Sequence, residues 1–148
     1  GPDVLTSNAG WNIESNKAFL KTVIAQFKQA GIRVSVFVEP DAETIKLVPE
    51  IGADRIELYT EQYAAHYNNK EEAIKPFIEA GNKANELGIG INAGHDLSLE
   101  NLAYFSKNIP NLLEVSIGHA LVGDALYYGL EKTVGMYKDE LVWKNIVW

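Results

Sequence analysis

Segments with two different spacings of hydrophobic residues alternate along the chain. In some segments apolar residues recur every three or four positions, which predicts amphipathic helices, and in others they alternate strictly with polar residues, which predicts strands. The order is one helix followed by four strand–helix units. This order predicts a layered α/β fold.

The first helix and the first strand have the clearest patterns. The helix is predicted to begin with Ser15 as its N-cap and to end at Gly31. Its predicted apolar face consists of Phe19, Leu20, Val23, Ile24 and Phe27. Residues 32–39 then alternate strictly, so that one face of the first strand is aliphatic and the other is polar or aromatic.

The second strand is predicted at residues 55–60, after a short helix that ends at Gly52 and that Pro49 should kink. Residues 61–69 have no clear period, and a segment of this length predicts a loop that is able to act as a lid. A third helix is predicted from about Pro76 to Leu87, because proline is tolerated in a first turn.

The third and fourth strands end in the same pair of residues. Residues 88–94 form an apolar run followed by His95, and residues 113–117 are followed by Gly118 and His119. Ser98 is predicted to cap the helix between these strands, and a last helix is predicted at residues 124–141. The tail, residues 142–148, contains two tryptophans and either docks on the domain or mediates assembly.

The spacing of the strands predicts parallel pairing through crossover helices. An open doubly wound sheet buries both faces of its central strands, whereas one face of each strand here is polar or small. The residues on this face are Arg33, Ser35, Glu57, Gly90, Asn92, Glu114 and Ser116. A TIM-barrel lumen accommodates such a face, but a closed barrel of this type needs eight strands. The sequence therefore predicts a half-barrel of four parallel βα units in a single domain.

Composition and charge narrow the possible partners. The chain has 148 residues, of which 47% are hydrophobic and 22% are charged, as in an ordinary soluble domain. The net charge of −7 argues against nucleic acid, because phosphate backbones are bound by clustered Lys and Arg. No apolar run reaches the ~18 residues of a membrane helix. The absence of cysteine excludes disulfides and thiolate metal sites, and it favours a cytoplasmic protein.

His95 and Asp96 lie where the third strand opens into a loop, a position often used for catalysis. Histidine exchanges a proton near neutral pH, and the preceding Gly94 leaves room for a ligand. Asp96 would orient the imidazole or bind a polar group. The alternative is a turn whose polar groups satisfy backbone ends and cap the following helix.

Gly118 and His119 have the form of a phosphate site, in which a glycine exposes its amide and the next helical turn directs free N–H groups at an anion. In barrels the loops after the last two strands often bind phosphate. The alternative is that Gly118 only relieves crowding at the end of the strand.

Glu57 lies on the polar face of the second strand, where burial would raise its pKa and make it an acid or a base. An equally good interpretation is a structural ion pair with Arg33 on the neighbouring strand. Glu114 has the same two interpretations. His66 lies between tyrosines and is expected at the surface or on a lid.

Five segments together resemble the pyridoxine 5′-phosphate synthase family. They are residues 6–11, 32–39, 55–60, 92–97 and 116–120, and the two Gly-His pairs are the most specific of them. The resemblance implies a TIM barrel that condenses 1-deoxy-D-xylulose 5-phosphate with 3-amino-2-oxopropyl phosphate to form pyridoxine 5′-phosphate. It implies neither a cofactor nor an essential metal.

By position, the same resemblance implies roles for individual residues. It implies that His95 is the general acid and that Glu57 assists proton transfer. The implied binding residues are Thr6 for the xylulose phosphate and Asp96, Gly118 and His119 for the aminoketone phosphate.

The chain resembles only the later part of the family's barrel, so the earlier strands and their catalytic and substrate-binding residues are missing from it. Because general acid–base catalysis contributes ~10²–10⁴-fold per group, we expect the chain alone to be inactive. It would need a complementing N-terminal half or a homo-oligomer. The alternative functions are a non-catalytic, self-associating half-barrel and a small phosphate-binding domain.

Overall fold

The computed structural model describes residues 7–141, as four strands and the helices between them. Thr6 and residues 142–148 lie outside the described residues, and so do the predictions made for them. The elements in chain order are α1 (Ile13–Gln29), β1 (Ser35–Val38), α2 (Ala42–Lys46), α3 (Val48–Ile51), β2 (Arg55–Tyr59), α4 (Glu61–Ala65), a 3₁₀ turn (Tyr67–Asn69), α5 (Lys70–Ala73), α6 (Lys75–Glu86), β3 (Gly90–Gly94), α7 (Leu102–Asn108), β4 (Leu112–Ser116), α8 (His119–Tyr128) and α9 (Leu130–Asp139).

The four strands form one parallel sheet in the order β1-β2-β3-β4, which confirms the prediction of four parallel βα units of the TIM-barrel type. Their register separates the two faces. One cross-strand row on the first face consists of Phe37, Glu57, Asn92 and Glu114. A row on the second face consists of Val38, Leu58, Ala93 and Val115. The second row packs into the hydrophobic core, as the alternation predicted.

The sheet is strongly curved, with the polar face inside. Adjacent strands are ~4.8 Å apart, so β1 and β4 would be separated by ~14 Å in a flat sheet. Arg33, which precedes β1, nevertheless donates to Glu114 Oε1 on β4 at 3.0 Å. A register shift against β3, which gives β4 the additional residue Leu113, contributes to the bend. The molecule therefore has the concave polar surface of a half-barrel.

The helices cover the convex face and join through an aromatic cluster. Tyr63 on α4, Phe77 on α6 and Phe105 on α7 are completely buried, and their ring centroids lie 5.1–6.0 Å apart. This cluster fixes three helices behind β2 and β3 with favourable tilted ring geometry. No helix within residues 7–141 is both long enough and apolar enough to cross a membrane.

The start of α1 corrects the prediction for Ser15. The N-cap is Asn12, whose side-chain oxygen accepts a hydrogen bond from the Ser15 amide at 3.0 Å. Asn and Ser are equally good caps, and periodicity alone does not distinguish two candidates one turn apart. The predicted apolar face is only partly buried, because Phe19 and Phe27 are 56% and 46% exposed.

Residues 61–69 are helical, so the prediction of a loop there is wrong. They form α4 and the 3₁₀ turn, and the side chain of Tyr63 anchors them in the core. The segment has no amphipathic period because it is short and has a single anchor. Similarly, α7 begins at Leu102 with Asn101 as its cap, three residues later than predicted from Ser98.

The predicted last helix is broken into α8 and α9 at Gly129, which has φ 83 and ψ 146. The prediction treated this glycine as a helical position, although its backbone lies where almost only glycine is found. The two helices are tied together by a hydrogen bond of 2.7 Å from the Tyr137 hydroxyl to Asp124 Oδ2. Most apolar residues of the predicted face are exposed, including Leu126 at 83% and Tyr127 at 87%.

Candidate active site at the carboxyl ends of the strands

A cleft of about 930 Å³ opens at the carboxyl ends of the strands. It is lined by Ser7, Phe37, Glu57, His95, Asp96, Leu97, Ser116, Ile117, Gly118, His119 and Ala120. Five of the six site residues named from the sequence are among them, and the sixth, Thr6, lies outside the described residues. Parallel strands all end at the same edge, which explains why residues so far apart in sequence meet here.

Glu57 extends from the middle of β2 into the floor of this cleft. Its carboxylate accepts a hydrogen bond from the side chain of Ser116 on β4. The side chain passes over Gly94 on β3, where a Cβ would overlap Glu57 Oε1 and would lie 3.0 Å from Ser116 O. Gly94 therefore provides the space in which this carboxyl lies.

Burial raises the pKa of Glu57, and the negative charge of Glu114 raises it further, while the hydrogen bond from Ser116 acts in the opposite direction. Desolvation disfavours the charged form of a carboxyl, so the raised pKa is the direction that the sequence predicted. A carboxyl of this kind exchanges a proton at a pH closer to neutral than an exposed glutamate does.

Arg33 does not pair with Glu57, so that alternative is wrong. Arg33 and Arg55 both contact Glu114, each at 3.0 Å, and Asn92 donates to the same carboxylate at 3.1 Å. Although burial raises the pKa of Glu114, hydrogen bonds from Arg33 and the charge of Arg55 hold it below its usual value. Glu114 is therefore an ionised structural group, and it is not among the residues that line the cleft.

His95 and Asp96 are held in an unusual backbone conformation directly after β3. Both have positive φ angles, 83° and 55°. A left-handed conformation costs roughly 1–2 kcal/mol for a residue other than glycine. Such strain persists only where the surroundings enforce it, and it clusters at functional sites.

The imidazole of His95 is fixed from two sides. Its Nδ1 lies 3.0 Å from Asp96 Oδ2, and Tyr59 meets the ring edge-on with centroids 4.8 Å apart. Phe37 packs against Tyr59 in turn, at 5.1 Å. These contacts orient the ring where it lines the cleft.

The loop after His95 is supported from behind by Asn101. Its side-chain amide donates to Asp96 O at 3.2 Å, and its side-chain oxygen accepts from the Ser98 amide at 2.9 Å. The Tyr63 hydroxyl donates to Asn101 O at 2.8 Å. Residues 96–101 thus form a capping turn, as the alternative interpretation proposed. The same turn supports His95 and Asp96, which line the cleft.

Gly118 and His119 form the start of α8, which faces the cleft. Gly118 is the N-cap residue and contributes no side-chain cap, and the amides that follow it belong to the first turn. The first four N–H groups of a helix have no partner within the helix, and its dipole favours negative charge there. Because His119 and Ala120 also line the cleft, this end is suited to an anion such as phosphate.

Ser7 also lines the cleft; it belongs to the N-terminal loop whose hydroxyls were expected either to face a ligand or to cap the next helix. Phe37, Tyr59, Thr60 and Ser116 line the cleft or contact its residues and were not named as site residues from the sequence. The available signal was their position on the strands or at the carboxyl ends of the strands that carry the named residues. His66 is exposed and does not line the cleft, as expected for a surface position.

Comparison with known proteins identifies one family that this chain resembles over nearly its whole length. The family model described as "Pyridoxal phosphate biosynthesis protein PdxJ" matches residues 1–142. Three relatives carry the name pyridoxine 5′-phosphate synthase. The protein from Parabacteroides distasonis is 55% identical over 93% of this chain. The proteins from Bacteroides thetaiotaomicron and Cytophaga hutchinsonii are each 58% identical, over 93% and 94% of this chain.

The matched region is only part of these relatives. The chain spans 58–59% of the length of these three relatives. The family model matches a region, residues 1–142, that includes all four strands and the cleft residues described above.

Proposed function

The chain belongs to the family of the pyridoxal phosphate biosynthesis protein PdxJ, and from this membership we propose that it takes part in the synthesis of pyridoxine 5′-phosphate. The proposed reaction is the condensation of 1-deoxy-D-xylulose 5-phosphate with 3-amino-2-oxopropyl phosphate. The observation that carries the proposal is the cleft, in which an imidazole, a carboxyl and a helix N-terminus converge.

We propose that His95 acts as the general acid and that Glu57 assists proton transfer. The packing of His95 against Asp96 and Tyr59 supports this role, because it orients the ring within the cleft. The raised pKa of Glu57 also supports its role, because an efficient acid or base has a pKa near the working pH.

We propose that the aminoketone phosphate binds at the start of α8. Gly118 and His119 would hold its phosphate through backbone N–H groups and the imidazole, and Asp96 would contact the same substrate. Thr6 would contact the phosphate of the second substrate. The proposal requires no cofactor and no metal ion.

The half-barrel is proposed to act only when further strands close it. Within the described residues β1 and β4 each pair with one strand only, although the Trp11 amide donates to Phe37 O on the other side of β1 at 2.8 Å, and outer strands of this kind favour pairing with other chains. Leu126 and Tyr127 on α8 and Leu130 on α9 are exposed as well. Exposed apolar side chains of this kind favour contact with another polypeptide. The strands that close the half-barrel would come either from a complementing N-terminal half or from a second copy of the chain. The chain alone would be inactive, and the protein would act in the cytoplasm.

Two measurements test the proposal. In calorimetric titrations of the 148-residue chain, 3-amino-2-oxopropyl phosphate and inorganic phosphate should bind, and His119→Ala should weaken both by roughly 10–100-fold, as expected for the loss of a charge-assisted hydrogen bond. His66→Ala is the matched control and should leave binding unchanged, because His66 lies outside the cleft. Equal affinities for the His119 variant and the unmodified chain would contradict the phosphate site.

The second measurement follows pyridoxine 5′-phosphate by chromatography. Product is expected when the chain is combined with a polypeptide that supplies the part of the relatives it does not match, and His95→Gln should abolish it. Product from the chain alone would disprove the proposed inactivity but support the proposed reaction. Phosphate binding without product in either mixture would favour a phosphate-binding domain.

A further inference from the structure

Thr60 is a completely buried polar residue at the end of β2. Its amide donates to Gly94 O at 3.1 Å, and its hydroxyl oxygen lies 2.8 Å from the same carbonyl oxygen. The hydroxyl also contacts His95 O. The side chain of Thr60 therefore contacts two successive carbonyl groups, those of Gly94 and His95. His95 is the residue whose imidazole lines the cleft.

These two carbonyls belong to the segment where the backbone leaves the sheet. Gly94 is the last residue of β3, and His95 and Asp96 adopt the left-handed conformation directly after it. A histidine would leave this conformation for an extended or right-handed one unless its peptide groups were held. The hydroxyl of Thr60 supplies such a hold through its contacts with Gly94 O and His95 O.

We propose that Thr60 is a positioning residue, which fixes the left-handed backbone of His95 and thereby aims its imidazole into the cleft. The inference rests on the proposed function of His95, which it extends to a residue that does not line the cleft. A displacement of about 1 Å at a reacting group can reduce a rate by ~100-fold, so the accuracy of this placement matters for catalysis.

The helix that follows Thr60 supports the same loop at its other end. Tyr63, one turn later, donates to Asn101 O at 2.8 Å, and Asn101 donates to Asp96 O at 3.2 Å. Thr60 and α4 thus contact the loop at both of its ends. Thr60 contacts His95 directly, whereas Tyr63 contacts Asn101, six residues after His95.

The test compares three variants in the ¹³C-labelled chain. Thr60→Val keeps the shape and removes the hydroxyl, Thr60→Ser keeps the hydroxyl, and Thr133→Val removes a hydroxyl at another fully buried threonine, on α9. The readout is the imidazole Cε1–H signal of each of the three histidines, assigned through His66→Gln and His119→Gln. This readout needs neither substrate nor a completed barrel.

Thr60→Val is expected to shift or broaden the signal of His95 and to leave the signals of His66 and His119 in place. Thr60→Ser should restore the signal of His95, and Thr133→Val should not change it. An unchanged His95 signal in Thr60→Val would overturn the proposal. A loss of all three signals that Thr60→Ser does not repair would also overturn it, since Thr60 would then serve packing alone.

A measurement on the unmodified chain applies even if Thr60→Val does not fold. A hydroxyl proton that is buried and shared with two carbonyl groups should exchange slowly with water, and rapid exchange would contradict the proposal. In any preparation that forms product, Thr60→Val should lower kcat on the order of tenfold with little change in KM. If the proposed reaction fails while the His95 signal responds as expected, only the function is refuted.

Discussion

Glu57 and Gly94 show how single residues determine the chemistry of the cleft. The carboxyl of Glu57 lies over a position where any side chain would collide with it, so the glycine on β3 is a requirement of the glutamate on β2. The same arrangement removes water from the carboxyl and raises its pKa. The raised pKa of this carboxyl thus arises from residues on different strands.

The raised pKa of Glu57 predicts a dependence of stability on pH. The native protein binds this proton more tightly than the unfolded chain, so its free energy of unfolding should fall as the pH rises from 4.5, the ordinary value, through the raised native value. Glu57→Gln removes this ionisable group. Urea unfolding should therefore show the variant gaining stability relative to the unmodified protein as the pH rises above 4.5.

Glu114→Gln is the matched control for this experiment. The pKa of Glu114 is lowered, so its contribution to stability is present above its ordinary pKa and is lost as the pH falls through the lowered value. The Glu114 variant should therefore lose stability relative to the unmodified protein as the pH rises. The same sign of pH dependence for both variants would contradict the assignment of the two carboxyls.

At the level of elements, the break between α8 and α9 has a single cause. Gly129 has a backbone conformation that other residues rarely adopt, with φ 83 and ψ 146. The break turns α9 so that Thr133 and Tyr137 are buried, while Leu130 and Val134 remain exposed. A continuous helix would have placed one apolar stripe along its whole length.

Gly129→Ala tests whether the helix is broken. In the broken arrangement an alanine at this position should lower the free energy of unfolding by about 1–2 kcal/mol, because it is forced into a left-handed region. In a continuous helix it should raise that free energy by ~1 kcal/mol. Thermal and urea unfolding of the chain distinguish the two signs.

Gly135→Ala is the control, because Gly135 lies inside α9 with open space around its Cβ position. It should stabilise the protein by ~1 kcal/mol in either arrangement. Stabilisation of equal size at Gly129 and Gly135 would show that α8 and α9 are continuous.

At the scale of the whole molecule, curvature decides which charges meet. Arg33 precedes β1 and Glu114 lies on β4, at opposite edges of the sheet, and their side chains meet across its polar face. Arg33, Arg55, Asn92 and Glu114 form a polar network on the same face, and Asn92 and Glu114 lie in the same cross-strand row as Glu57. The ionic network therefore borders the cleft residue Glu57, whose pKa the charge of Glu114 raises.

A double-mutant cycle tests this curvature. With Arg33→Met and Glu114→Gln, the coupling free energy should be about 0.2–1 kcal/mol, the usual range for exposed pairs, since both side chains are about half exposed. The cycle of Arg33→Met with Glu57→Gln should give a coupling near zero. A larger coupling to Glu57 than to Glu114 would contradict the observed bend and support the pair expected from the sequence.

The order of amino acids alone was enough to assign the faces of the strands and the edge at which the site lies. Strict alternation separated the aliphatic and polar faces of β1 and β2, and parallel strands necessarily end at one edge, so His95, Gly118 and His119 could be expected in one site. The proline and glycine before β2 likewise predicted the break and the end of the α2–α3 segment correctly.

Contacts between segments that are distant in sequence depended instead on the folded arrangement. The partner of Arg33, the hydrogen bond from Ser116 to Glu57 and the hold of Thr60 on His95 depend on the curvature and register of the sheet. The burial of Tyr63 in an aperiodic segment likewise depends on two other helices. Periodicity reports which face of an element is apolar, but the identity of its neighbours arises when the sheet bends and the helices pack.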